Sequence, residues 1–261
     1  MIEVARAAAR AAAELLAGAS AADIRFKGTP RDLVTEWDLR SEECVRTILE
    51  PTGIPVLGEE GGQTGGRTVD KSGEGKTRWL VDPIDGTVNF SHGLPIWSIA
   101  IALETPAGIE LGVVHAPVLG WWFEATAGGG ARDEHGQPLR VSAIDRLDRA
   151  ILSTGFPYDL ATSPDNNFAE WEALQRRAGA CRRLGCASID LCLVACGKLD
   201  GYWERKLQPW DVAAGALIVR EAGGTVTDTR GGPFDPHTGE AVATNGAIHE
   251  ELVAELRKVR P

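Results

Sequence analysis

Long apolar runs, paired cysteines and a surplus of basic residues are all missing from this sequence, and each absence closes off a class of protein. No uninterrupted apolar stretch approaches the roughly 20 residues a helix needs to cross a bilayer, so a transmembrane helix is not expected. The five cysteines, at positions 44, 181, 186, 192 and 196, are an odd number set in apolar or helical patterns, with neither Cys-x-x-Cys spacing nor histidine partners. They read as reduced, mostly buried thiols rather than as a disulfide framework or a zinc site. Acidic residues outnumber basic ones, 37 against 27, for a formal net charge of −10. A nucleic-acid partner would draw its affinity from clustered Lys and Arg, so this balance argues against one. A small phosphorylated substrate stays open, with a bound metal ion as the economical source of positive charge in an acidic protein. There is no internal repeat and no Pro- or Ser-rich linker.

What remains is an ordinary globular composition, 43% apolar and 25% charged over 261 residues. It is read as one domain, 1–261, with a soft internal division near 142–149. The first eighteen residues are Ala-rich, but Glu3, Arg6, Arg10 and Glu14 fall on the polar side of an amphipathic helix over 2–17. That pattern is not a signal peptide, and the expected location is the cytoplasm. Asp38 precedes a helical apolar pattern (Leu39, Cys44, Val45, Ile48, Leu49) and is placed as its N-cap. A short strand, 54–57, delivers Gly58-Glu59-Glu60, and a glycine-rich stretch, 61–77, follows. Residues 96–126 read as an antiparallel meander. Beyond residue 150, helices over 166–177, 187–195, 212–221 and 249–258 alternate with short strands. The expected class is a layered α+β or mixed α/β sandwich.

The most informative run is Arg78-Trp79-Leu80-Val81-Asp82-Pro83-Ile84-Asp85-Gly86-Thr87, an apolar strand followed by two carboxylates, a glycine and a hydroxyl. Asp at the first and Pro at the second position suit a four-residue turn from Asp82 to Asp85, with its ends within about 7 Å. Two carboxylates that close repel unless a proton or a cation neutralises them, and oxygen-only ligands select hard cations such as Mg²⁺ or Mn²⁺. Gly86 permits close backbone approach and Thr87 adds a hydroxyl. A plain turn and N-cap cluster explains the same residues equally well. Three further acidic places, Asp38, Glu59 with Glu60, and Asp211 after Pro209-Trp210, sit at strand or helix ends. Taken singly, Asp211 is a good N-cap and Glu59 a surface charge; together they suggest convergence on one site.

Four segments carry a resemblance over essentially the whole length: Asp32-Leu33-Val34-Thr35-Glu36-Trp37-Asp38, Gly58-Glu59-Glu60, Trp79 to Phe90, and Trp210-Asp211-Val212-Ala213-Ala214-Gly215. With these the chain resembles the inositol monophosphatase family, Mg²⁺-dependent, lithium-sensitive phosphomonoesterases, which implies a layered α-β-α-β-α sandwich with an N-terminal metal-binding part and a C-terminal substrate-side part. The resemblance implies that Glu59, Asp82 and the Ile84 carbonyl hold one metal ion, whose water is the nucleophile. Asp82, Asp85 and Asp211 would hold a second, and Thr87 with Asp38 would orient and deprotonate the water, with a third, weaker metal near Glu59. Gly86 and Thr87 would offer backbone N–H groups to phosphate. On the substrate side it points to Glu204 as acceptor for ring hydroxyls, to the Gly185-Cys186-Ala187 loop, to Arg183 and Asp211, and to Lys27 near the site. Relatives are commonly homodimers, and Trp97, Trp121, Trp122 and Trp171 suit either an interface or a core. Cys186 departs from the Ser, Thr or Gly that relatives often carry, and Trp37 is bulky for its segment.

Other classes fit less well. Gly75-Lys76-Thr77 hints at a nucleotide-binding loop, but Asp70 stands where a glycine is needed and a strand follows. A calcium-binding module or a non-catalytic regulatory protein would leave Thr87 and Asp38 unexplained, and the chain has no EF-hand loop. Within the family, myo-inositol 1-phosphate is the favoured substrate, with fructose-1,6-bisphosphate, histidinol phosphate and 3′-phosphoadenosine phosphate as alternatives.

Overall fold

A computed structural model describes residues 1–19, 24–26, 33–64 and 77–260. The first half holds α1 (Ile2–Leu16), β1 (Ile24–Phe26), β2 (Leu33–Thr35), α2 (Glu36–Leu49), β3 (Val56–Gly58), β4 (Gly62–Thr64), β5 (Arg78–Asp85) and α3 (Thr87–Ser91). The antiparallel meander follows as β6 (Ser98–Thr105), β7 (Gly108–Ala116), β8 (Trp121–Thr126) and β9 (Gly130–Asp133). The second half holds β10 (Ile151–Thr154), α4 (Phe168–Gln175), β11 (Ala180–Arg182), α5 (Ala187–Ala195) and β12 (Gly201–Arg205). It ends with α6 (Pro209–Glu221), β13 (Thr225–Thr227), β14 (Glu240–Thr244) and α7 (His249–Val259).

Seven strands form one sheet in the order β4-β3-β5-β6-β7-β8-β9, and five form a second in the order β11-β10-β12-β14-β13. Helices α1 and α2 cover the outer face of the first sheet, α5 and α6 lie between the sheets, and α4 and α7 cover the outer face of the second. Five layers need four sealed seams, and the apolar residues divide accordingly. Trp79, Val81, Ile99 and Ile101 point to α1, whereas Leu80, Ala100 and Ala102 point to α5 and α6. Trp203, Val242 and Leu252 close the outermost layer. The expected layered sandwich is therefore the observed one. Helix α5 is buried at every position, as a helix between two sheets must be, and is apolar except for Ser188 and Asp190.

Strand β5 is buried along its whole length because the sheet is covered on both faces. It does not end in the expected four-residue turn at Asp82. Pairing with β6 continues to Asp85, with Asp82 opposite Ala100 and Asp85 opposite Ser98, so three steps on β5 match two on β6. This bulge has a decisive effect. In a regular strand residues three apart face opposite sides; one extra residue turns Asp82 and Asp85 to the same side, that of Ala100 and Ser98, toward α5.

All five cysteines are free thiols, and Cys181, Cys186 and Cys192 are buried. Trp97 and Trp122 lie in the core beneath α1, and Trp121 and Trp171 pack partly buried against their own layers, so core packing accounts for all four. Among the described residues no helix is long and apolar enough to cross a membrane.

Candidate active site

The ends of β3, β5 and β12 and the starts of α3, α5 and α6 surround a cleft of about 110 Å³. Its wall contains Glu59, Asp82, Ile84, Asp85, Gly86, Thr87, Arg183, Gly185, Cys186, Ala187, Glu204 and Asp211. Among the described residues, every expected site residue except Asp38 thus lines one cavity, and Asp38 joins through Thr87. A larger cleft, about 570 Å³, lies under α1, but there Arg6 already pairs with Glu124 and Arg10 stacks on Trp122. Chemistry, not size, selects the smaller one. Lys27 and Asp32 lie outside the described residues, as does 65–76 of the glycine-rich stretch.

Asp38 and Asp211 are not N-caps, as their positions had suggested. Thr35 caps α2 and Gln208 caps α6, and each acid stands three residues later, reaching back to close a capping box. Asp38 Oδ2 accepts from the Thr35 N–H at 2.7 Å, and Asp211 Oδ2 accepts from the Gln208 N–H at 2.8 Å. Both acids do mark a helix start, but each stands three residues inside the cap. The consequence matters: one oxygen of each acid is anchored to the helix start, which leaves the other to bond elsewhere. Asp38 Oδ1 accepts from the Thr87 hydroxyl at 3.0 Å, and the same hydroxyl lies 3.1 Å from the Ile84 carbonyl.

The bulge is stapled from both sides. Ser41 Oγ donates to the Pro83 carbonyl at 3.0 Å, and the Ile84 N–H donates to Asp82 Oδ1 at 3.1 Å. Asp85 Oδ2 accepts from the Ser188 N–H at 2.7 Å and from its hydroxyl at 2.5 Å, and lies 3.2 Å from Cys186 Sγ. Gly86 adopts φ 91°, and a Cβ there would stand 3.1 Å from the Gly185 and Ile96 carbonyls, so the crossing of two loops demands glycine. Asn89 Nδ2 ties the same loops by donating to the Ile96 and Leu184 carbonyls. The turn carrying Glu59 rests on a buried pair. Glu42 accepts from the Glu60 and Gly61 N–H groups at 2.7 and 2.8 Å and bonds Arg46 at 2.8 Å. Ser41, Glu42, Arg46, Asn89 and Ser188 were not anticipated; for Glu42 and Arg46 the available sign was an i, i+4 acid–base pair on the helix capped by Thr35.

Electrostatics set this cleft apart. Burial first, then Glu59, Asp85, Asp211 and Asp38, push the Asp82 carboxyl well above the usual range. Burial, then Asp85 and Glu59, do the same to Asp211. Asp85 is also raised by burial, against the pull of Ser188 and Cys186. Glu204 is pushed up to about 7, mainly by burial, with Tyr202 and Arg183 opposing. Among the described residues no three His, Cys, Asp or Glu side chains are already drawn tightly enough to hold an ion. The donor set nonetheless fits a hard divalent cation: all oxygen, buried, and mutually destabilised in a way that added positive charge relieves.

The sequence model described as "Inositol monophosphatase family" matches residues 1–260. The chain belongs to the inositol monophosphatase family. It is 43% identical over 231 residues, 88% of its length and 78% of the relative's, to the inositol-1-monophosphatase of Synechocystis sp.. It is 37% identical over 271 aligned positions to the Nus factor SuhB of Pseudomonas aeruginosa, covering 100% of this chain and 97% of that one. The solved inositol monophosphatase of Anabaena (Nostoc) sp. PCC 7120 superimposes with a TM-score of 0.87 at 37% identity, over 99% of this chain and 96% of that one. At the level of the inositol monophosphatase family the protein is a hydrolase of small phosphate monoesters.

Proposed function

We propose that the protein hydrolyses myo-inositol 1-phosphate to inositol and phosphate in a Mg²⁺-dependent reaction. The observation that carries this is the convergence of Glu59, Asp82, Asp85 and Asp211 on one cleft, with Thr87 in its wall bonded to the buried Asp38 behind it. When bound, two divalent cations supply charge stabilisation at the phosphoryl group and make the attacking water more acidic. Glu59, Asp82 and the Ile84 carbonyl would hold one; Asp82, Asp85 and Asp211 would hold the other. Thr87 orients the water and passes a proton to Asp38 Oδ1, the oxygen its hydroxyl already faces. Asp38 is suited to act as the base, since its other oxygen is anchored at the positive end of α2. Gly86 and Thr87 turn backbone N–H groups toward the phosphate. Glu204, Arg183 and the Gly185-Cys186-Ala187 loop, on the far wall, take the polyol.

Substrate preference and assembly belong to the same proposal. A kcat/KM panel of inositol 1-phosphate, fructose-1,6-bisphosphate, histidinol phosphate and 3′-phosphoadenosine phosphate, with Mg²⁺ or Mn²⁺, tests it; a higher value for any other member would displace inositol 1-phosphate. The protein is proposed to act as a homodimer, and a monomer mass by light scattering would refute that.

A further inference from the structure

We propose that Tyr202 is a positioning residue, whose hydroxyl acts from within the core to hold the Glu204 carboxylate at the edge of the cleft for hydroxyls of a polyol phosphate. The proposal rests on the reading of the cleft as a polyol-phosphate site and goes one residue deeper. Tyr202 and Glu204 are two apart on β12, so they share a face, while Trp203 between them enters the outermost apolar layer. Tyr202 is fully buried between the sheets, and a buried phenol seeks a partner for its O–H. It donates to Glu204 Oε2 at 2.7 Å.

Gly155 closes the other side. A Cβ at that position would stand 2.0 Å from Glu204 Oε1 and 2.3 Å from Oε2, so the carboxylate lies against bare backbone that only glycine leaves open. Gly155 is itself held: Asn167 Nδ2 donates to its carbonyl at 2.6 Å, and Trp203 Nε1 donates to Asn167 Oδ1 at 2.8 Å. Just beyond β12, Lys206 adopts φ 59°, a left-handed conformation uncommon for a side chain of this kind. Its Nζ bonds both Asp159 oxygens, at 2.9 and 2.7 Å, and Ser163 Oγ at 2.9 Å, tying the segment that follows Gly155 to the end of the strand. An ionised carboxylate offers about four acceptor positions, so one bond to Tyr202 leaves others for a ligand.

The test compares inositol 1-phosphate with p-nitrophenyl phosphate, an ester with no hydroxyl to present to Glu204, for wild type, Tyr202→Phe, Glu204→Gln and the double variant. Tyr202→Phe keeps the ring and removes only the donor. It should raise KM for inositol 1-phosphate about fivefold to tenfold, the size of one net hydrogen bond, and leave kcat/KM for p-nitrophenyl phosphate within about twofold. Adding Tyr202→Phe to Glu204→Gln should cost nothing further, because the two act through one group. Gly155→Ala should reproduce the selective KM rise. Equal losses on both esters, no loss on either, or additive losses in the double variant would overturn the positioning role alone. Wild-type hydrolysis of p-nitrophenyl phosphate but of no polyol phosphate would overturn the substrate reading and this proposal with it.

Discussion

Replacing Glu42 should loosen the site without touching any proposed ligand. Glu42 is 3% exposed, bonds Arg46 at 2.8 Å, and accepts the N–H groups of Glu60 and Gly61. Space around it is tight: a Cβ at Gly58 would stand 2.5 Å from the Glu42 carboxyl carbon, and one at Gly61 would stand 2.7 Å from Oε1. The turn carrying Glu59 is thus moulded onto this carboxylate. Removing one member of a buried ion pair costs about 3–5 kcal/mol, because the other is left buried and uncompensated. Arg46 keeps its bonds to the Val56 and Gly62 carbonyls, which favours the lower end of that range. For a chain of this size each kcal/mol shifts the midpoint by about 2–4 °C, so Glu42→Ala should lower Tm by roughly 6–12 °C. Glu42→Gln retains one acceptor oxygen and should cost less, about 1.5–3 kcal/mol for a charged hydrogen bond. Its sharper readout is metal affinity: with the Glu59 turn released, the Mg²⁺ concentration for half-maximal activity, and for half of the Mg²⁺-induced rise in Tm, should increase several-fold. Calorimetry in chelator and a Mg²⁺ titration followed by Tm measure both. A Glu42→Ala midpoint within about 2 °C of wild type, or an unchanged Mg²⁺ requirement in a destabilised Glu42→Gln protein, would refute the reasoning.

Four other outcomes are expected. Phosphate release should require Mg²⁺ or Mn²⁺ and be suppressed by millimolar-range lithium; full activity in chelator would end the metal reading. Asp82→Asn should cut turnover by at least about 10²-fold, the loss expected for one strong transition-state stabiliser. Because Asp82 is raised well above its unfolded value, its contribution to the metal-free fold is fully present only below about pH 3.9 and is lost as pH rises through the folded value. Thermal unfolding in chelator at pH 7.5 should therefore find Asp82→Asn more stable than wild type, and a less stable variant would contradict the assigned burial and repulsion. Thr87→Val should lose about 10²-fold or more in kcat, whereas Thr87→Ser, which keeps the hydroxyl facing Asp38, should retain most of it; equal losses would show that packing and not proton transfer is at stake.

Much of the fold was legible because its signals are local. Apolar periodicity placed the helices at 2–17 and 187–195 within a residue or two, and Pro and Gly punctuation located the meander. The site was legible by residue type, and twelve of its expected members fall on one cleft. Misplacements were also local in kind. Asp38 and Asp211 carry the chemistry of a helix start, but Thr35 and Gln208 hold the cap, because a capping box uses an acid three residues inside as readily as at the end. Asp82 and Asp85 suited a turn by composition, yet pairing with β6 outweighed turn preference and carried the strand past them.

By itself, then, the sequence determined which carboxylates, hydroxyl and glycine are available, and in which order along strands and helices they occur. Only the tertiary structure decided that the bulge turns Asp82 and Asp85 to one face, that Ser188, 103 residues away, holds Asp85, and that Glu42 supports the Glu59 turn from 19 residues away. The physical reason is range. Periodicity and capping act within a few residues, whereas ligand geometry is set by which distant backbone donors the packed layers bring against each carboxylate.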